Sequence, residues 1–403
     1  MDLFKIKKLA ENYYPEMVEI RRHLHRKPEL SYQEFETTAF IIKKLEALNI
    51  RVDRPLETGC VGVIEGGKKS SRIIALRADI DALPIAETGE HKREFISENK
   101  GVAHCCGHDA HTANLLGTAM ILSEMKDEIE GKVLLMFQPG EEKLPGGARL
   151  LCETGYLQKQ EVDVVYGLHT NPLGAPGTIA LREGALMARP DEFEIKIIGR
   201  GGHAAAPHLT ADPIVLAGQI ITQIQSIVSR NIDPTDNAVV TIGKIEGGSA
   251  HNIIPETVRM IGTVRTFSEE NAYLIRDRMK AIVKSAAEAA GAAFEFSFNE
   301  GYPPVINDSR AAGTVIGTAE ALLGRKQVEL LEKPIMAGED FAFYQQHFPG
   351  AFFFLGSGSE QSGAAYSWHH PKYNVDERCF KTGAALMAAL AFQQIKLEKL
   401  NEV

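Results

Sequence analysis

The 403-residue sequence predicts an α/β fold, a helix-covered and mostly parallel sheet into which a smaller α+β unit is inserted. Three observations carry that prediction. Short, continuous apolar runs rich in β-branched residues alternate with helical stretches, the pattern of parallel strands covered on both faces. Near Pro190 the rhythm changes to alternating strands and two long helices in the order β-α-β-β-α-β, the ferredoxin-like unit. After residue 301 the first rhythm resumes.

From Lys5 to Leu48 the pattern is helical. Ile6, Leu9, Tyr13, Met17, Ile20 and Leu24 recur at three- and four-residue steps, and a second helix from Phe35 to Leu48 follows Pro28. Strands follow at Val61–Ile64, Ile73–Leu76, Val133–Phe137 and Val162–Tyr166, with a helix from Ala110 to Lys126 among them. The second rhythm gives a strand at Phe193–Ile198, a helix at Ala211–Arg230, strands at Ala238–Ile245 and Val258–Phe267, a helix at Glu269–Ala290 and a strand at Phe294–Phe298. The closing part reads as a helix at Ser309–Leu323, a strand at Phe352–Leu355 and a helix from Asp376 to Lys399. The division is thus 1–188 with 302–403, and 189–301; one continuous mixed α/β domain is the alternative. Two units suit the length, since a single core rarely grows past ~250–300 residues.

Composition excludes several classes. With 44% hydrophobic residues the chain can bury a core, so it is no disordered polypeptide. Forty-four Lys and Arg against 53 Asp and Glu leave a net charge of −9, which argues against a nucleic-acid partner. The most apolar stretch, Ala384 to Phe392, is far shorter than the ~20 residues of a membrane span, so no membrane partner is expected. Five scattered cysteines form no disulfide framework, and the first residues lack the apolar centre of a signal peptide; a cytoplasmic protein with reduced thiols is expected.

Four segments at predicted strand ends carry ligand-type side chains: Arg77–Pro84, His104–His111, Gln138–Glu142 and Gly167–His169. In open α/β sheets such ends gather at one crevice. Cys106 and His108, one glycine apart, offer a thiolate and an imidazole to Zn²⁺ or a similar ion. Glu141-Glu142 follows an apolar strand, where unpaired carboxylates would cost several kcal/mol; one can bind a metal while its neighbour serves as a base. From the residues alone, His169 reads equally as a ligand or as a core histidine. Asp79 and Asp81 are each either a carboxylate orienting a ligating histidine or a solvated strand end. Asp109 reads as the cap of the helix at Ala110, and neither His104 nor His111 is taken as a ligand. Cys105 admits a thiol-nucleophile reading with His108 or His169 as base, which leaves the paired glutamates unexplained. Cys60, Cys152 and Cys379 read as small core residues. In the inserted unit, His203 follows a glycine-rich turn and Asn252 lies in a second one. Arg265 lies on a strand and with Asn252 could hold a carboxylate; a solvated loop histidine and a surface arginine are the plainer readings. Gly338-Glu339-Asp340 resembles a helix start, and Trp368-His369-His370-Pro371 is too polar for core.

Together the segments His23–Ser31, Arg77–Pro84, Cys106–His111, Gln138–Glu142, Gly201–Ala205, Gly338–Phe341 and His369–Pro371 resemble the zinc-type metallopeptidases of the aminoacylase and carboxypeptidase kind. Within them, the similarity is to the branch of hippurate hydrolases, N-acetyldiaminopimelate deacetylases and plant auxin-conjugate hydrolases. The resemblance implies a metal-dependent amidohydrolase cleaving N-acyl-L-amino acids, with an inserted lid or dimerisation domain and a homodimer. It implies two divalent ions (Mn, Zn, Co or Ni) held by Cys106, His108, Glu142, His169 and His369, the last chosen because the family pattern is His-x-Pro. Glu141 then matches the general base, Asp81 an orienting carboxylate, His203 an oxyanion donor, and Asn252 and Arg265 the grip on the substrate carboxylate. Cys105 departs from the alanine usual in the family. A diaminopimelate-pathway deacetylase or a dipeptidase of the same family is the alternative activity, and a non-catalytic metal-binding protein the alternative class.

Overall fold

The computed structural model describes residues 1–393. The chain forms two compact units, one of Met1–Leu186, Ile306–Lys333 and the residues from Asp340 on, the other of Met187–Val305 with Pro334–Glu339. The return of Pro334–Glu339 to the second unit has no counterpart in the sequence-based division.

In chain order the elements begin with α1 (Leu3–Arg26), α2 (Phe35–Ala47), β1 (Arg51–Asp53), β2 (Cys60–Glu65) and β3 (Lys68–Asp79). Next come α3 (His108–Glu124), β4 (Glu130–Gln138), α4 (Gly147–Glu153), α5 (Tyr156–Lys159), β5 (Val164–Asn171), β6 (Ile179–Leu181) and β7 (Gly184–Met187). The second unit holds β8 (Arg189–Ile198), β9 (Gly202–His203), α6 (Pro213–Asn231), β10 (Ala238–Gly247), β11 (Ile253–Ile254), β12 (Thr257–Thr266), α7 (Glu269–Ala289) and β13 (Ala293–Asn299). The chain then runs through β14 (Val305–Asn307), α8 (Ser309–Leu323), β15 (Val328–Leu330), α9 (Ala342–Gln345), β16 (Gly350–Gly356) and α10 (Phe380–Leu390).

In the first unit one eight-stranded sheet runs β1-β2-β4-β3-β5-β16-β6-β15. Its centre, β4, β3, β5 and β16, is parallel, and β2 and β6 flank that centre antiparallel. α3 packs against β3 and is itself covered by α1 and α10. It is therefore buried all round and has no polar face. α1 turns Ile6, Ala10, Met17, Ile20 and Leu24 inward, the larger of them contributing roughly 1.5–3 kcal/mol each. The four parallel strands bring their carboxyl ends to one edge, and that edge carries the site.

The second unit is an antiparallel sheet in the order β10-β12-β8-β13. Phe193, Ile195 and Ile197 of β8 alternate inward and join Leu216, Ile220 and Ile224 of α6 and Ile275, Met279 and Val283 of α7 in a separate core. This is the ferredoxin-like arrangement. β9 and β11 pair as a small additional ladder that matches His203 with Ile253.

Three local expectations are corrected. α3 begins at His108, and its cap position is Gly107; Asp109 turns instead to the buried side chains of α1, its Oδ2 accepting from Arg21 Nε at 2.8 Å and from His25 Nδ1 at 2.7 Å. Gly338-Glu339-Asp340 does not start a helix, since Asp340 is drawn to the guanidinium of Arg77 and α9 begins only at Ala342. The closing helix is a 3-10 turn at Glu377–Cys379 followed by α10, and the part expected beyond residue 393 lies outside the described residues.

Candidate metal centre

The site is assembled from strand ends. β3 ends at Asp79, so Asp81 lies just past it; β4 ends at Gln138 and hands the chain to Glu141 and Glu142; β5 carries His169. β5 extends beyond its predicted end at Tyr166 because β16 continues the ladder, pairing Phe354 with His169. Cys106 and His108 flank the start of α3. Gly107 between them has φ 98°, and a Cβ there would lie 2.5 Å from Thr170 Oγ1 and 2.7 Å from the Tyr373 hydroxyl oxygen, so only glycine fits.

Among the described residues, donor atoms converge in overlapping groups of three: Cys106, His108 and His169; Cys106, Glu142 and His369; His108, Glu141 and Glu142. Cys106 Sγ is 3.4 Å from His169 Nε2, and Glu142 Oε1 is 3.2 Å from His369 Nε2. His108 Nε2 lies 3.8 Å from Glu142 Oε1 and 4.0 Å from Glu141 Oε2. His369, in the left-handed backbone region at φ 63°, enters the group. His370 turns away to stack on Tyr366 and accept the Lys372 N–H at Nδ1.

The imidazoles are oriented from behind. His108 donates Nδ1–H to Asp81 Oδ1 at 3.1 Å, and His169 donates Nδ1–H to the Thr170 carbonyl at 2.8 Å. Each Nε2 is then left as the lone pair facing the cluster. Asp81 Oδ2 accepts from Ser31 Oγ at 2.7 Å and from the Glu142 N–H at 3.0 Å, so one carboxylate ties His108 to the glutamate turn.

The residues fit a cation. His108 Nε2 and Glu142 Oε1 are buried without a well-formed hydrogen bond, an arrangement costing about 1–3 kcal/mol per group unless a partner is supplied. Burial opposes charging of His108, yet Asp79 and Asp81 push its pKa up to about 10. Burial, together with Glu142 and Glu141, raises the Cys106 thiol well above its ordinary value. Burial and His111 keep His169 neutral. A site with this surplus of negative charge favours a cation that displaces those protons.

A second group beside it is closed. Asp79 accepts from His111 Nδ1 at 2.6 Å and from Arg77 Nη1 at 2.8 Å; His111 Nε2 accepts the Thr170 N–H at 2.9 Å. Arg77 also donates to Gln138 and Asp340, and Asp340 Oδ2 takes the Ala148 N–H. Asp340 and His111 were not legible as partners in the sequence; the available signal was the Arg77-Ala78-Asp79 charge pair closing an apolar strand. The thiol-nucleophile reading of Cys105 fails, because the side chain is fully buried and its pKa is pushed up to about 12 by that burial. Cys60, Cys152 and Cys379 are buried as well.

In the second unit His203 is exposed on β9, its Nδ1 accepting the Ala205 N–H at 3.0 Å. Asn252 is exposed in the turn before β11, its carbonyl accepting the Ala204 N–H. Arg265 lies half-buried on β12 between Val239 and Pro190.

Residues 75–393 match the sequence profile of Peptidase family M20/M25/M40. The chain belongs to this family. N-acetyl-L-cysteine deacetylase of Bacillus subtilis (strain 168) is 44% identical over 366 residues, 90% of this chain and 84% of that one. N-acyl-L-amino acid amidohydrolase of Geobacillus stearothermophilus is 44% identical over 305 residues, 75% of this chain and 81% of its own. Among solved structures, the Bacillus subtilis YXEP protein, described as a dinuclear metal binding peptidase of the M20 family, has a TM-score of 0.79 and 37% identity, covering 95% of this chain and 98% of that chain. The chain thus falls in the amidohydrolase branch of the M20 hydrolases. Among the described residues no helix is long and apolar enough to cross a membrane.

Proposed function

We propose that this chain hydrolyses N-acyl-L-amino acids to a carboxylate and a free amino acid. Two divalent cations would be held by Cys106, His108, Glu142, His169 and His369. The observation that carries the reading is that Cys106 Sγ belongs to two convergent donor groups, one with His108 and His169 and one with Glu142 and His369. The names of the two relatives, a deacetylase of N-acetyl-L-cysteine and an N-acyl-L-amino acid amidohydrolase, support the substrate class.

When bound, such a cation pair would supply Lewis acidity toward the amide carbonyl and would lower the pKa of the attacking water. Glu142, tied through its N–H to Asp81 and facing His369, acts as a ligand. Glu141, next to it on the same turn, accepts the proton of the attacking water and returns it to the departing amine nitrogen. Asp81 fixes the His108 tautomer. To the second unit we assign oxyanion donation by His203 and recognition of the substrate carboxylate by Asn252 and Arg265, roles resting on the family resemblance alone. A homodimer formed through that unit rests on the same footing. The thiolate favours Zn, Co or Ni, and the carboxylate and imidazoles also accept Mn.

The test is amine release from N-acetylcysteine, N-acetylmethionine and hippurate by metal-replete and exhaustively chelated protein. Activity should vanish on chelation and return with added metal. Turnover that survives chelation would sink the proposal.

A further inference from the structure

We infer that Tyr32 and Glu34, on the short segment joining α1 to α2, are positioning residues that hold the Glu141 turn in its working place. The inference rests on the reading of Glu141 as the general base.

Past Gln138 the chain leaves the sheet, and the backbone that carries Glu141 and Glu142 no longer has a ladder to fix it. Its backbone polar groups need partners from elsewhere. Glu34 and Tyr32 supply them on both sides of the paired glutamates. Glu34 Oε1 accepts the Gly140 N–H at 2.8 Å, immediately before Glu141. The Tyr32 hydroxyl donates to the Lys143 carbonyl at 2.6 Å, immediately after Glu142, and accepts the Gly146 N–H at 3.0 Å. Gly140 has φ 64°, and the Tyr32 ring occupies the space that a Cβ there would need.

The clamp is itself braced. Glu34 Oε1 also accepts the Tyr32 N–H at 2.9 Å, and Oε2 accepts from Thr58 Oγ1 at 2.8 Å. Tyr32 sits at φ 66°, an unusual backbone state for a residue with a Cβ. Glu34 is fully buried, and its hydrogen-bond partners are two backbone N–H groups and a hydroxyl, all neutral. A buried acid kept among neutral donors is costly as a charge, and burial with Asp81 nearby pushes its pKa up to about 7. What it provides in return is acceptor geometry at Gly140. The same segment reaches the other side of the site, where Ser31 Oγ donates to Asp81.

The test uses the metal-saturated, full-length enzyme with N-acetylmethionine, measuring kcat, KM, metal stoichiometry and Tm. Glu34→Ala should lower kcat by ~10–100-fold while KM stays within about threefold, because a displacement of about 1 Å at a reacting group costs on that order. Glu34→Gln keeps an acceptor for the Gly140 N–H and offers its amide to Thr58, and should recover kcat to within about fivefold of wild type. Tyr32→Phe keeps the ring against Gly140 and loses only the hydroxyl bridge; it should lower kcat about 3–10-fold. It carries the test if Glu34→Ala does not fold. Values of kcat within about twofold of wild type in Tyr32→Phe, or a Glu34→Gln variant no better than Glu34→Ala, overturn the inference whatever happens to Tm. Glu141→Gln measured in parallel separates the two ideas. If it is inactive while the Tyr32 and Glu34 variants turn over normally, only the positioning role fails; if it remains active, the base assignment falls and the inference with it.

Discussion

Asp79 and Glu142 are both carboxylates within 4 Å of His108 Nε2, at 3.6 and 3.8 Å, yet they are compensated in opposite ways. Asp79 is enclosed by Arg77 and His111, and although burial would raise its pKa, His108, His111 and Arg77 hold its carboxyl well below the usual carboxylate range. Among the described residues, the Glu142 carboxylate is grouped with His108, His369 and Cys106, with Glu141 beside it on the same turn. Residue type therefore does not tell a metal site from a structural network. The balance of charge does: where a guanidinium is built in, the group is complete, and where none is, the donor atoms could hold a cation.

The contrast can be broken or sharpened by substitution. The largest effect is expected from Glu141→Gln, with kcat reduced by ~10²–10⁴-fold and bound metal unchanged by elemental analysis; loss of metal would make Glu141 a ligand. Next, His108→Ala should abolish stoichiometric metal binding, whereas His111→Asn should retain metal and lower stability by about 1–3 kcal/mol, the cost of a buried unpartnered group. If both variants lost metal equally, the distinction between open and closed groups would disappear. Arg77→Met leaves Asp79 and Asp340 buried without their cation and should destabilise by ~3–5 kcal/mol in denaturant unfolding. A smaller effect is expected at Glu34. Its carboxyl is raised from 4.5 to about 7 on folding, so the folded protein holds a proton that the unfolded chain releases. That contribution is fully present below about pH 4.5 and is lost as pH rises through 7. Glu34→Gln should therefore gain about 2–3 kcal/mol relative to wild type between pH 5 and pH 8; a pH-independent difference would contradict the assigned cause.

How much of this was legible in the sequence depended on how local each signal was. The long helices and the main strands of both units were visible because their periods are set within a few residues, while short elements such as β1, β6, β15 and α4 were not, and Cys106, His108 and the glutamate pair stood out as polar residues beside apolar runs. The length of β5 was not visible, because His169 is held in the strand by its pairing with Phe354 on β16. Asp340 looked like a helix start because its partner Arg77 lies 263 residues away and meets it only through the sheet order. Asp109 looked like a helix cap because nothing local reveals that Arg21 and His25 of α1 lie against α3. The choice of His369 over His370 came from the resemblance; its physical basis is the left-handed turn, which points successive side chains in different directions.

Position 107 is where three stretches bearing candidate ligands cross. The room a methyl group would take there is filled by the hydroxyl of Thr170, the neighbour of His169, and by that of Tyr373, in the turn that follows His369; the two hydroxyls are 2.9 Å apart. An alanine at this point would push on both at once and so disturb side chains 62 and 262 residues further along the chain, at His169 and His369. The mildest of substitutions would thereby act as a wedge under the whole assembly and spread the candidate ligand groups apart together.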